Sequence, residues 1–111
     1  MRAAKFIKLK LMKLGTMDRL VEACLLVRKL GMIPVLGNGV ATELGCWMEA
    51  CAAIRTIDNA GEMNGFLKPR ARLFAEPLKA DGGALVVPAG APPRLDRAAL
   101  DAHTLDRTDS K

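Results

Sequence analysis

Lys5-Phe6-Ile7-Lys8-Leu9-Lys10-Leu11-Met12-Lys13 alternates charged and apolar residues. With a side-chain period of two, the segment reads as a β-strand that carries Lys8 and Lys10 on one face and Ile7, Leu9 and Leu11 on the other. If the lysine face meets solvent, it does no more than keep an edge strand soluble. If it faces a closed cleft, a desolvated lysine beside a second cation has a lowered pKa and becomes a candidate proton-transfer base.

Outward from this strand, Gly15-Thr16 makes a turn, with Thr16 placed to cap a helix and Asp18 in the first turn where the helix dipole favours an anion. Met17, Leu20, Val21, Cys24, Val27 and Leu30 recur at helical spacing, and Gly31 supplies the stop. Ile33-Pro34-Val35-Leu36 is too short for a helix and reads as a buried strand. A strand-helix-strand order of this length makes the two strands parallel neighbours in one sheet.

The turn Gly37 to Thr42 leads into a second helix, for which Leu44, Trp47, Met48, Cys51 and Ile54 form the expected inward stripe, and Asp58 to Gly61 ends it. Gly65 to Pro69 is a candidate third strand, and a further strand is expected around Leu73-Phe74. Ala84 to Pro88, after the turn Asp81-Gly82-Gly83, is a stronger strand candidate. Pro88 to Pro93 resists regular structure, Asp96 caps a short helix through His103, and Thr104 to Lys111 reads as a frayed tail. The fold class is therefore α/β, with 1–90 as the main unit and 91–111 as a C-terminal helix and tail.

With 111 residues, half of them hydrophobic, the chain suits one domain or part of one, with a modest core. One Trp, three Phe and no Tyr leave few surfaces for base stacking. The +5 charge traces to Arg2, Lys5, Lys8, Lys10 and Lys13, with no acid before Asp18. An excess confined to one alternating strand is not the spread basic face of a nucleic-acid binder, so no nucleic-acid partner is expected. Cys24, Cys46 and Cys51 form no CxxC pair and read as reduced thiols, while no run spans a membrane and the lysine-broken start is unlike a secretory signal. A cytoplasmic location is expected.

The chemistry-bearing patterns each carry an ordinary alternative. Gly37-x-Gly39-x-x-Thr42 resembles the opening of a dinucleotide fingerprint but lacks the third glycine, and it reads instead as a tight strand-to-helix turn. Glu62 and Asn64, before Phe66, fit either the carboxyl end of a strand or a solvated loop. His103 sits beside acidic residues on a surface helix and reads as incidental. A small stand-alone α/β module that holds a phosphate or nucleotide through the basic strand and glycine turn is the alternative to an enzymatic reading.

Phe6-Ile7-Lys8-Leu9-Lys10-Leu11-Met12-Lys13-Leu14-Gly15, a helix, Gly31 to Gly39, and the Glu43-Leu44-Gly45 helix start together resemble the C-terminal part of the enolase superfamily. The likeness is to the mandelate racemase and muconate-lactonizing branch, including the dipeptide epimerases, with similarity to methylaspartate ammonia-lyase. It covers residues 5 to 90 and implies the last strand-helix units of a (β/α)8-type barrel followed by a short β/loop extension.

The resemblance also implies a reaction. The family takes the proton α to a carboxylate and stabilises the enediolate on Mg²⁺, as racemases, epimerases or lyases. Lys10 would be the acid/base and Lys8 its electrostatic neighbour, while Asn38, Gly39, Glu62, Asn64 and Lys68 would line the carboxylate substrate. The family's metal carboxylates stand on earlier strands, so no residue here is expected to bind the metal, and the isolated chain is expected to be inactive. An open sheet further implies self-association or a complementary barrel fragment as partner.

Overall fold

The structure is a computed structural model, and it describes residues 3–37 and 41–105. β1 (Phe6–Leu9) and β2 (Ile33–Leu36) pair in parallel, with Ile7 opposite Pro34 and Leu9 opposite Leu36. The Ile33 amide donates to the Lys5 carbonyl at 2.9 Å and the Gly37 amide to the Leu9 carbonyl at 3.2 Å, which sets the register at both ends. Helix α2 (Met17–Lys29) makes the crossover between them. Its Thr16 side chain accepts from the Arg19 amide at 3.2 Å, the cap expected from the sequence.

Helix α3 (Glu43–Thr56) follows β2, and the chain then returns to the sheet at Glu62, which bridges Gly37 in parallel and donates its amide to the Leu36 carbonyl at 2.8 Å. The succession is thus three parallel positions in chain order: β1, β2, and the single residue Glu62. Leu20 and Cys24 of α2, Leu36 of β2, and Ala52 and Ala53 of α3 form one buried cluster, with Leu9 and Leu11 packed against it. Both helices therefore cover the same face of the sheet. Burying a leucine of this kind stabilises the fold by roughly 1.5–3 kcal/mol.

Three local expectations are corrected. The lysine strand ends at Leu9, because Leu11–Leu14 turns into a four-residue helix, α1, with Lys10 as its N-cap. The expected third strand at Gly65 to Pro69 is a 3₁₀ turn at Gly65–Leu67, and the chain reaches the sheet earlier, at Glu62. The inward stripe of α3 is rotated: Leu44 and Ile54 are exposed, whereas Glu43, Cys46, Glu49, Ala50, Ala52, Ala53 and Thr56 are buried. Small side chains let α3 approach closely, and its two buried carboxylates serve backbone amides that a hydrocarbon could not satisfy.

The remainder packs on the other side of α3. Cys46, Phe66, Phe74 and Leu78 are buried together, with Ala41, Trp47 and Leu85 against them. Glu43 holds this segment in place, accepting the amides of Leu73 at 2.7 Å, Phe74 at 3.1 Å and Leu78 at 3.1 Å, with the Arg72 guanidinium 3.8 Å away. β3 (Lys79–Asp81) and β4 (Ala84–Val86) form an antiparallel hairpin whose turn residues Gly82 and Gly83 have φ of 54° and 82°. Two consecutive positive φ values define the tight hairpin turn that glycine allows without strain.

The strand expected around Leu73-Phe74 is reduced to a bridge between Phe74 and Leu95. Asp96 caps α4 (Arg97–Ala102), accepting the Ala99 amide at 3.0 Å. Most of the expected frayed tail, from residue 106 on, lies outside the described residues. The fold is mixed α/β with two small two-stranded sheets. Among the described residues, no helix is long and apolar enough to cross a membrane.

Candidate functional site

The β1–β2 ladder ends at Leu9 and Leu36, and just beyond it come Lys10 and Gly37, with Glu62 bridged to Gly37 at the carboxyl end of the parallel strands. Alternation along β1 puts Leu9 beneath the helices and Lys8 on the opposite, uncovered face. Lys10 keeps extended backbone, with φ −134° and ψ 134°, so it continues the same alternation although the ladder has ended. The uncovered face thus presents Phe6, Lys8, Lys10 and Val35, with Glu62 at its far side.

The Lys8 ammonium is ion-paired with the Glu62 carboxylate across the middle position, which is Gly37. A Cβ on Gly37 would lie 2.8 Å from the Glu62 Cβ, 3.2 Å from its Oε2 and 3.3 Å from the Lys8 Cε. Only glycine leaves the space through which the pair closes. The hydrogen bond and charge of Lys8 hold the Glu62 carboxyl below the ordinary glutamate range, with Lys10 adding a smaller pull in the same direction. Lys8, Lys10 and Glu62 therefore act as one electrostatic group.

The cleft is not closed. The Lys8 and Glu62 side chains are 45% and 57% exposed, so their attraction is screened by water and salt. Lys10 is half-buried at the start of α1. The peptide that follows it is held at both ends: its carbonyl accepts the Lys13 amide at 3.0 Å, and its N–H, that of Leu11, donates to Glu49 Oε1 at 3.0 Å. Glu49 is 1% exposed and projects from α3.

Of the residues the sequence nominates, Lys8, Lys10 and Glu62 come together. Asn64 and Lys68 belong to the 3₁₀ turn beyond, where the Asn64 carbonyl accepts the Leu67 amide and the Lys68 amide donates to Gly65. Asn38 and Gly39 lie outside the described residues. His103 caps α4, its Nδ1 2.7 Å from the Ala99 carbonyl. Among the described residues, no three His, Cys, Asp or Glu side chains gather where a metal ion could be held.

Two residues of the site escaped sequence reading. Gly37 was visible as the first glycine of a nucleotide-like turn, but its part here is to leave room between two side chains. Glu49 shares a helical face with Cys46, Ala50 and Ala53, and an acid among small residues at that spacing was the available signal. Compared with known proteins, the chain matches no protein-family model and no curated sequence.

Proposed function

We propose that residues 5–90 are the last strand-helix units of an enolase-type barrel, acting in racemisation, epimerisation or elimination by α-proton abstraction from a carboxylate substrate. The observation that carries this reading is the arrangement at β1. Lys8 near the end of β1 and Lys10 just beyond it lie toward the carboxyl end of the parallel sheet, on the face opposite the leucines that both helices cover, with Glu62 of the third parallel position beside them. Carboxyl ends of such strands are where barrel enzymes carry their chemistry. A stand-alone module gripping an anion is less favoured, because the Lys8 ammonium is already engaged by Glu62.

In this reading Lys10 Nζ is the acid/base on one face of the substrate, taking the α-proton there or delivering one, while Lys8, held by Glu62, contributes a fixed positive charge beside the developing anion. Magnesium in the intact family supplies Lewis-acid stabilisation of the enediolate. Its ligand set is not gathered in the described residues, so no step of this chain is routed through it. The isolated chain is a base without that stabilisation, and it is inactive.

The partner is a complementary barrel fragment or a second copy of the chain. Parallel sheets are normally covered on both faces, and here the face opposite the helices carries no second layer among the described residues, while Leu25 and Leu26 on α2 and Leu30 at its C-cap are exposed elsewhere. Sedimentation should therefore show concentration-dependent association, and a strict monomer up to high concentration counts against this partner.

The test of the chemistry is incorporation of solvent deuterium at the α-position of carboxylates in the presence of Mg²⁺. The purified chain should show none, and mixing it with the first five strand-helix units of an enolase-type barrel should restore exchange that Lys10→Met abolishes. Exchange by the chain alone, or restored exchange that survives Lys10→Met, overturns the reading.

A further inference from the structure

We propose that Glu49 is a positioning residue for Lys10: its buried carboxylate fixes the Lys10–Leu11 peptide, and with it the direction in which the Lys10 side chain leaves the end of β1. The inference rests on Lys10 being the proton-transferring group, and it names a residue that neither pattern nor spacing nominated.

A short helix begins with amides that have no partner within it. In α1 the cap position is a lysine, and its side chain makes no capping bond. The acceptor comes instead from another element: Glu49, one turn past the buried Cys46 of α3, reaches the Leu11 amide at 3.0 Å. The same peptide's carbonyl accepts from Lys13 at 3.0 Å. With both polar ends held, the peptide plane cannot rotate, so ψ of Lys10 stays near 134° and its Cα–Cβ bond keeps the alternation that sends Leu9 under the helices and Lys10 to the open face.

The neighbouring packing makes this grip specific to position 49. Leu11 and Leu14 pack on the covered cluster to which Ala52 and Ala53 of α3 belong, so α1 rests on the core that α3 helps to build. Gly15, with φ 85°, ends α1 and donates its amide to the Leu11 carbonyl at 2.8 Å. Loss of the Glu49 acceptor leaves a partly buried N–H unsatisfied, which favours unwinding α1 and frees the lysine.

The test uses the whole chain. Hydrogen exchange should show the Leu11 amide protected at least about tenfold in the unaltered protein, and unprotected exchange there overturns the proposal without any variant. Glu49→Ala should lower that protection by about tenfold, the equivalent of one net hydrogen bond. It should also shift acylation of Lys10 relative to Lys79, on the distant hairpin, by at least about threefold, leaving Lys8 relative to Lys79 unchanged. Glu49→Gln keeps an acceptor oxygen and should restore both readouts.

If Glu49→Ala does not fold, the Glu49→Gln result and the Leu11 exchange still decide. Lys10 labelling indifferent to position 49, or Glu49→Gln as disruptive as Glu49→Ala, sinks the positioning role whatever the deuterium assay returns. Failure of the reconstituted barrel to use Lys10 sinks the enzymatic reading and leaves the labelling result standing.

Discussion

On one face of the β1–β2 sheet, Leu9 and Leu36 disappear beneath two helices; on the other, one residue along each strand, Lys8 and Val35 have no helix over them. The strands, the hydrogen bonds and the twist are common to both. What differs is whether the chain supplies a second layer, and the contrast separates stability from chemistry: the covered face holds the fold, and the uncovered face holds the charges.

Breaking the covered face should have the largest effect. Leu36→Ala removes a fully buried side chain from the centre of the cluster and should cost about 2–5 kcal/mol, read from chemical denaturation. Cys24 lies in the same cluster, and burial raises its thiol pKa despite an opposing hydrogen bond from Thr56. Thiol labelling of Cys24 should accordingly be slow in the intact protein and speed up sharply in Leu36→Ala. Unchanged labelling would mean the cluster does not close as described.

Glu43→Ala comes next, because it removes the acceptor for the Leu73, Phe74 and Leu78 amides at once. Leaving buried donors unsatisfied should cost roughly 2–5 kcal/mol, with loss of hydrogen-exchange protection confined to residues 72–78 at the lower end of that range. Glu43→Gln should recover part of it. A uniform loss across the molecule would contradict a local role.

Gly37→Ala acts on the open face. The new methyl meets the Glu62 Cβ at 2.8 Å, so Glu62 must move off Lys8, at a cost of about 1–3 kcal/mol from crowding. The carboxyl resonance of Glu62 should then titrate closer to the ordinary glutamate value. A titration unaltered by the methyl would show that the pair does not cross above residue 37.

Lys8→Met should be the mildest change for the fold and a clear one for Glu62. Losing the hydrogen bond and charge that depress its carboxyl, Glu62 should titrate higher, with little change in Tm because the pair is exposed. In the unaltered protein the folded pKa lies below the unfolded one. Any stabilisation by the pair is therefore present above the ordinary glutamate range and lost as pH falls through the folded value. Added salt should shrink the difference between Lys8→Met and the parent.

The uneven legibility of the fold follows from which forces act locally. Thr16 as a cap, the α2 stripe through Leu20, Cys24 and Val27, the parallel pairing of β1 with β2 and the Gly82-Gly83 turn were all readable, since each rests on neighbours a few residues apart. The rotated face of α3 was not. Hydrophobicity places Leu44 and Ile54 inward, and the partners that reverse this choice, the amides of Leu11, Leu73, Phe74 and Leu78, come from 30 to 38 residues away. For the site, the lysine alternation was visible, but the closure of Lys8 on Glu62 spans 54 residues.

By itself the sequence determined the alternation at Lys8 and Lys10, the order strand, helix, strand, helix, and the concentration of positive charge at one end, because these depend on covalent spacing and local backbone preference. Tertiary structure alone decided that Glu62 lands beside Gly37, that the Lys8 pair closes over a missing side chain, and that Glu49 grips the peptide after Lys10. Each of these needs two distant segments brought within van der Waals or hydrogen-bond reach, a condition set by how α2 and α3 pack on the sheet.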